Sequence, residues 1–423
     1  MIPLDGVYHW LSGISMWQIL LVLFFPITFD YLRTFGKIVF LEINKTRKKM
    51  LPVESYFRVH DKKISILIPA HNEESCIKES IESALDTIYP NKEIIVIDDG
   101  STDNTYNIAK RYADKNLIKL VHLKRGGSKA AALNFGYVHS KGKIIITMDA
   151  DTKLGKYSLE KIVRRFDDQK INALSGNIVP YGDDGITNLL TKIQQNEYTI
   201  SFEIGKRFSA HLNILLVISG AFAVFRRGAL NWNGLFCTTT MTEDFDKSMQ
   251  VQKIGKEIVF AEKSYASSFC PNNWKTWITQ RTRWSHGHLQ TLLKNKDVLF
   301  SSRYRMGFRL AVFDTWFADV ILSFLYFIGL AALTSLFITQ QLLHDKIRNP
   351  EISELGHIML PLFGVYFIAE FVIFFYSRSN SDVPQPLCRI YLIPVMIFFY
   401  RPLLKIIVLR GYIKAILGKK VSW

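Results

Sequence analysis

Cysteine is scarce. The four residues Cys76, Cys237, Cys270 and Cys388 are far apart in a chain of 423, and none belongs to a Cys-x-x-Cys pair. That spacing argues against structural zinc and against a disulfide framework, and it fits a reducing cytosol. No Gly-x-Gly-x-x-Gly follows the first predicted strand and no Gly-x-x-x-x-Gly-Lys-Ser/Thr is present, which disfavours a dinucleotide site and a P-loop. Acids are also short, 37 against 53 Lys and Arg, giving a formal charge of +16. Such an excess attracts polyanions, but here it includes a run beside an apolar segment and a basic tail. Anionic lipid and a phosphorylated substrate are therefore the expected partners, and nucleic acid is not. No leader peptide is expected, because Asp5 stands where a basic segment belongs and no small-residue cleavage site follows.

What the chain has in quantity is apolar residues, 48% with a mean hydropathy of +0.10. They concentrate near the N-terminus and beyond about residue 310, leaving a stretch of soluble composition between. Ile14 to Leu32 is long enough for one span, with Pro26 placed to kink it, and Arg33, Lys37, Lys45, Arg47, Lys48 and Lys49 follow. By the positive-inside rule the chain leaves that helix into the cytoplasm. After Arg309 come Leu310 to Ile338 with Asp314 and Asp319, His357 to Tyr376 with Glu370, and Cys388 to Leu409, broken by Pro394, Arg401, Pro402 and Lys405. Three full spans would leave Arg410, Lys414, Lys419 and Lys420 outside, so either the last segment is re-entrant or interfacial, which is the favoured expectation, or the count of spans is off by one. The expected plan is a membrane helix and basic segment over 1–50, a cytosolic domain over 51–300, and membrane or interfacial helices over 301–423. The protein is thus expected in the cell membrane, multi-pass, with its catalytic domain cytosolic.

Within the soluble stretch, strands alternate with helices, which implies βαβ units and a parallel sheet. Ile64 to Ile68 is a strand followed by Pro69-Ala70-His71-Asn72-Glu73 and a helix to about Leu85. Glu93 to Ile97 is a second strand ending in Asp98-Asp99-Gly100-Ser101-Thr102-Asp103, and Asp103 suits the cap of the next helix. Leu117 to Leu123 is a third, followed by Arg125-Gly126-Gly127-Ser128-Lys129 and a helix from Ala130. Lys143 to Asp151 reads KIIITMDAD, an apolar β-branched run suited to a buried parallel strand, and it stops in Asp149 and Asp151. Ligands bind beyond the carboxyl ends of such strands, and an Asp-x-Asp pair offers hard oxygen ligands to Mg²⁺ or Mn²⁺ carrying a diphosphate. Taken singly, each of these residues is as readily a turn or cap. Several strands nevertheless deliver polar residues to one sheet edge.

Further on, Thr242-Glu243-Asp244 precedes a helical stretch ending near Gly255, and Asn273 to Leu293 reads as a helix. On that helix Gln280, Arg283, Trp284 and Gly287 share one side, at i, i+3, i+4 and i+7. Ala173 to Val179 and Ala221 to Phe225 look like strands, and the region from Tyr198 to Phe208 looks helical without assigned chemistry. His286 and His288 read as ordinary polar residues.

Ile-Pro-Ala-His-Asn-Glu (68 to 73), Asp-Asp-Gly-Ser-Thr-Asp (98 to 103), Gly-Ser-Lys-Ala-Ala-Ala-Leu-Asn (127 to 134) and Asp-Ala-Asp together resemble a family 2 glycosyltransferase. Thr-Glu-Asp and Gln280-Arg281-Thr282-Arg283-Trp284 narrow the resemblance to the membrane-bound, inverting, processive branch. It implies a GT-A type, Rossmann-like nucleotide-sugar-binding domain flanked by transmembrane helices. It also implies a metal-dependent transferase that polymerises a sugar from a UDP donor onto a growing glycan and extrudes the product. The stretch 240 to 246, Thr-Met-Thr-Glu-Asp-Phe-Asp, resembles bacterial poly-N-acetylglucosamine synthases, and more loosely chitin and cellulose synthases. It departs from the Gly-Asp-Asp of hyaluronan synthases. N-acetylglucosamine is the first expectation for the sugar and glucose the second.

By resemblance Asp244 is the general base, with Glu243 and Thr242 shaping its loop. Asp99 with Asp98 holds the uracil, and Glu73 and Lys129 belong to the nucleotide-sugar site. Asp149 and Asp151 hold Mg²⁺ or Mn²⁺ and contact ribose and diphosphate. Arg283 and Gln280 serve the donor, Arg283 through its fork of donors to phosphate. Trp284 is the platform under the acceptor, alongside Thr242. Ser219-Gly220-Ala221-Phe222 is expected to line the acceptor groove, and Trp316 and Tyr326 a channel through the membrane. An accessory membrane subunit is a further expected partner. The rival expectations are a non-processive enzyme adding one sugar to a lipid acceptor, and a non-enzymatic membrane subunit.

Overall fold

The computed structural model describes residues 16–48, 62–124, 127–182, 188–231, 234–342, 350–383 and 386–419. Ile14, Lys49, Arg125, Gly126 and Lys420 therefore lie outside the described residues. Helix α1 spans Met16–Lys48. The soluble part then alternates β1 (Ile64–Ala70), α2 (Ile77–Leu85), β2 (Lys92–Asp98), α3 (Thr105–Ala113), β3 (Lys119–His122), α4 (Lys129–His139) and β4 (Ile144–Met148). It continues through β5 (Thr152–Leu154), α5 (Ser158–Arg165), β6 (Ile171–Tyr181), α6 (Leu189–Ile200), β7 (Phe222–Arg226), α7 (Glu243–Lys253), β8 (Glu257–Phe269) and α8 (Trp274–Lys294).

The sheet has the order β3-β2-β1-β4-β7-β6-β8-β5. Its first four strands are parallel in the register Ile64↔Lys92 and Ile64↔Ile144, as their βαβ spacing dictates. Beyond β4 the sheet is mixed rather than parallel. β7 runs antiparallel to both β4 and β6, and β5 antiparallel to β8. Helices and strands still alternate after Gly155, but β7 enters between β4 and β6 in the reverse direction, while β6 and β8 remain parallel to each other.

Burial explains the isoleucine run. Ile144 and Ile146 face one layer with Ile77, Ile81, Leu159 and Ile162, while Ile145 faces the other with Ala130, Leu133 and Tyr137. A strand covered on both faces must be apolar at every position, so its acids stand just beyond its end. Strand β8 was not legible in the sequence. Its charged and small residues, Glu262, Lys263 and Ser264, fall where the pairing with β6 slips by a bulge, and such a break erases the period of two.

Among the described residues, three helical runs are long and apolar enough to cross a membrane: Met306–Ser335, Leu360–Ser379 and Leu387–Ile416. The first belongs to α9, which begins as Met306–Thr315, passes a π turn at Trp316–Ile321 and resumes as Leu322–Leu342. The second lies in α10 (Pro350–Ser379), and the third, α11, is helical throughout Leu387–Ile416 despite Pro394 and Pro402. The basic residues after the N-terminal apolar stretch do not form a separate segment, for α1 continues through them to Lys48. Arg33 points back into the bundle. It pairs with Asp30 at 2.9 Å, Asp314 at 3.0 Å and Asp319 at 3.7 Å. Tyr31 Oη donates to Glu370 Oε1 at 2.7 Å, and Arg401 pairs with the same carboxylate. The ionisable residues read from the spans are thus largely paired with one another, as low-dielectric surroundings require.

Candidate active site

A cavity of about 1120 Å³ opens under the carboxyl edge of the sheet and continues between α1, α9, α10 and α11. Its polar end is built from four elements. The turn after β4 supplies Asp149 and Asp151, the start of α4 supplies Lys129, the start of α7 supplies Glu243 and Asp244, and α8 supplies Gln280, Arg281, Arg283 and Trp284.

Lys129 is the centre of the charge arrangement. Ser128 caps α4 by accepting from Ala131 N at 3.2 Å, which fixes the first turn and aims Lys129 inward. Its Nζ pairs with Asp149 and with Glu243 Oε1, the latter at 3.2 Å. Burial alone would favour loss of its proton, yet Asp149, Glu243 and Asp244 hold it firmly charged. Asp151 is pushed up to about 7 by burial, with Asp149 and Glu73 adding like charge. Its backbone oxygen accepts from Tyr181 Oη at 3.1 Å and Phe269 N at 3.2 Å, so the turn is pinned to β6 and β8.

Asp244 is held as tightly. Oδ2 accepts from Gly220 N at 2.9 Å and Oδ1 from Phe245 N at 2.7 Å. Burial first, then Glu243, raises its pKa to about 6 against the opposing pull of Lys129. The loop before it is fastened to α8, where Thr242 Oγ1 and Thr291 Oγ1 lie 3.1 Å apart and Met241 N donates to Gln290 Oε1 at 3.2 Å.

Helix α8 begins where Asn273 Oδ1 accepts from Thr276 N at 2.9 Å. Gln280 Oε1 is buried on the cavity side without a donor among the described residues. Trp284 is covered by Arg281, whose guanidinium stands 4.5 Å from the indole centroid and pairs with Glu197 at 2.7 Å. The motif assigns Arg281 no role, and its position shows why it is a basic residue. It anchors α8 to α6, and Tyr400 of α11 donates to the same Glu197 carboxylate.

Of the expected acceptor-groove segment, Ser219, Gly220 and Ala221 line the cavity, with Val217 before them, whereas Phe222 turns into the core under the sheet. Three expected nucleotide residues stand apart from its walls. Asp98 is fully buried with Oδ2 2.7 Å from His122 Nδ1, and Asp99 lies beside it, its backbone oxygen 3.0 Å from His71 Nδ1. Glu73 accepts from Cys76 Sγ at 3.1 Å, and burial and the charge of Asp149 raise its pKa. The β1 and β2 loops are stapled into one edge. Thr102 N donates to Asn72 Oδ1 at 2.8 Å and Glu73 N to Thr105 Oγ1 at 2.7 Å. Of the two aromatics expected to line a channel, Tyr326 lines the cavity, whereas Trp316 packs against the cluster around Phe245, Leu289 and Tyr412. His288 is no plain polar residue. It stacks on Phe245 at 5.2 Å and 17° and also reaches the cavity.

Residues 65–232 match the family described as glycosyl transferase family 2. A probable glycosyltransferase of Bacillus subtilis, YdaM, is 30% identical over 65% of this chain and 66% of its own length. A poly-beta-1,6-N-acetyl-D-glucosamine synthase of Staphylococcus epidermidis is 30% identical over the same shares. The chain thus spans just under two thirds of these relatives. The mannosyltransferase PcManGT from Pyrobaculum calidifontis, solved with GDP-Man and Mn²⁺, has a TM-score of 0.66 at 16% identity, covering 94% of this chain and 100% of that one. The shared architecture is the GT-A fold. With the sequence match lying over this sheet, residues 65–232 of the chain form a glycosyl transferase family 2 domain.

Proposed function

We propose that this protein is a membrane-embedded, inverting glycosyltransferase that polymerises N-acetylglucosamine from a UDP donor and passes the glycan into the membrane bundle. The observation that carries the reading is Lys129, which bridges Asp149 to Glu243 and so draws the Asp-x-Asp turn and the Thr-Glu-Asp loop to one end of a cavity that continues between apolar helices. The poly-N-acetylglucosamine synthase among its relatives supports the choice of sugar.

Asp149 and Asp151 fit a divalent cation. They are hard oxygen donors on one turn, and the burial that chiefly raises the pKa of Asp151, with the like charge of Asp149 added to it, is offset by a dication. A neighbour in fold is bound to Mn²⁺, which supports the assignment without deciding between Mg²⁺ and Mn²⁺. When bound, the cation neutralises the leaving diphosphate. Asp99, at the β1–β2 edge beside the cavity, holds the base with Asp98 supporting it from the core against His122, Glu73 belongs to the same edge, and Lys129, Arg283 and Gln280 orient the donor. Asp244 takes the proton of the acceptor hydroxyl as its oxygen attacks the anomeric carbon and the bond to the diphosphate breaks on the opposite face. A base near 6 is ionised at neutral pH yet still basic enough to accept that proton. Glu243 and Thr242 keep Asp244 in place, and Trp284 offers its flat face to the acceptor sugar.

Residues 51–300 are the catalytic unit in this reading, facing the cytosol, with 1–50 and 301–423 as its membrane parts. A second reading, transfer of one sugar to a lipid acceptor, draws on the far end of the cavity, where Leu23, Phe24, Ile27, Leu330, Leu333 and Phe363 make an apolar wall. Membranes containing the protein, supplied with a panel of labelled UDP-sugars and Mg²⁺ or Mn²⁺ with EDTA as control, separate the two. A long, metal-dependent polymer from UDP-N-acetylglucosamine is expected. A single-sugar lipid product would overturn the polymerase reading in favour of the second.

A further inference from the structure

The helix that starts as α6 does not stay α-helical. It widens into a π turn over Ser201–Lys206 before resuming at Arg207–His211, and such turns recur at functional sites. Lys206 closes this one. Its Nζ donates to Ser175 Oγ at 2.9 Å, stands 4.1 Å from the Phe202 ring centroid, and lines the cavity that holds Asp244.

Lys206 belongs to the Asp244 end of the cavity. Ser175 Oγ also accepts from Ser219 N at 3.4 Å, and the next amide, Gly220 N, donates to Asp244 Oδ2 at 2.9 Å. The lysine and the carboxylate are thus linked through consecutive peptide units of one turn. A Cβ at Gly220 would stand 3.0 Å from Asp244 Oδ2 and 3.1 Å from Lys129 Nζ, which pairs with Asp149. Burial draws the Lys206 pKa down to about 7, and Asp244 is the carboxylate that opposes the shift. An ammonium has three donors. One is taken by Ser175 and, among the described residues, no carboxylate forms an ion pair with Lys206.

We propose that Lys206 is an acceptor-binding residue, whose ammonium donates to an oxygen of the terminal sugar of the glycan acceptor and thereby holds the attacking hydroxyl at Asp244. The proposal rests on the glycosyltransferase reading of the cavity. The amide carbonyl of an N-acetylated sugar is the strongest neutral hydrogen-bond acceptor such a residue offers, so it is the partner that suits the lysine best.

The test uses the full chain in lipid nanodiscs with UDP-N-acetylglucosamine, Mn²⁺ and a titrated series of N-acetylglucosamine oligomers, reading acceptor KM, kcat and, by calorimetry, UDP affinity. Lys206→Met keeps the stem packed on Phe202 and removes the donors. It is expected to raise acceptor KM about tenfold, the loss of one charge-assisted hydrogen bond, with UDP affinity within about twofold of the parent. Lys206→Arg should restore part of that loss. Lys206→Gln, which removes the charge but keeps a polar side chain, serves if the methionine variant does not fold, and should raise acceptor KM severalfold over the parent at unchanged UDP affinity. An unchanged acceptor KM in Lys206→Met, or a parallel loss of UDP affinity, overturns the proposal. A parent protein that uses no UDP-sugar overturns the functional reading itself, before any variant is compared.

Discussion

Gly287 lies against Thr242 so closely that a methyl group at 287 would stand 2.7 Å from Thr242 Cγ2 and 3.0 Å from its backbone nitrogen. A side chain can turn away from such a contact, but a peptide nitrogen cannot. Gly287→Ala should therefore push the Thr-Glu-Asp loop off α8 and carry Asp244 with it. A displacement of about 1 Å in a catalytic group costs on the order of 10²-fold in rate. Sugar transfer should fall by that order while UDP binding, measured by calorimetry, is retained.

Asp244→Asn should abolish transfer and leave UDP affinity near that of the parent, since its two hydrogen bonds come from Gly220 and Phe245 rather than from the donor side. The base works ionised. In the parent, kcat/KM should fall as pH drops through about 6. A profile flat down to pH 5 would remove Asp244 from that role.

Asp151→Asn should cut the metal response of UDP binding. The parent should bind UDP more tightly when Mn²⁺ or Mg²⁺ is added, and EDTA should reverse the gain. The variant should show little of either effect, and an unaltered metal response would exclude Asp151 as a ligand.

Trp284→Ala should shorten the product. The indole lies under Arg281 and faces the cavity, and removing it takes away the surface on which an acceptor sugar would rest. Gel analysis of the polymer should show a lower size at unchanged UDP affinity.

Arg281→Met should destabilise the whole chain. The arginine is 7% exposed and its ion pair with the partly buried Glu197 is 2.7 Å long, and losing a hydrogen bond to such a charged group costs about 2 kcal/mol. Because Tyr400 shares that glutamate, thermal unfolding should shift down by several degrees with both the sheet and the bundle affected.

The legible parts of this molecule are those fixed by local chemistry. Three isoleucines before Asp149 announce a doubly covered strand, and Ser128 and Asn273 cap their helices as short-range rules require. Asp149, Asp151, Glu243, Asp244 and Trp284 meet in one cavity because strand ends and helix starts share an edge. Illegible were the contacts that join residues remote in the chain. The service of Arg281 to Glu197 and the stacking of His288 on Phe245 depend on how two helices are docked. Strand β8 escaped notice because its bulge interrupts the alternation by which strands are read.

The close docking of α11 on α8 also constrains how this sequence can drift. A methyl group at Gly411 would lie 2.8 Å from Ser285 Cβ and 2.9 Å from the carbonyl oxygen of Thr282, next to the motif that carries Arg283 and Trp284. Enlarging position 411 is blocked by a backbone atom as well as by a side chain, so trimming Ser285 alone cannot compensate. Any descendant that loses this glycine has to move the membrane helix and the motif helix together, and the two segments are bound to evolve as one.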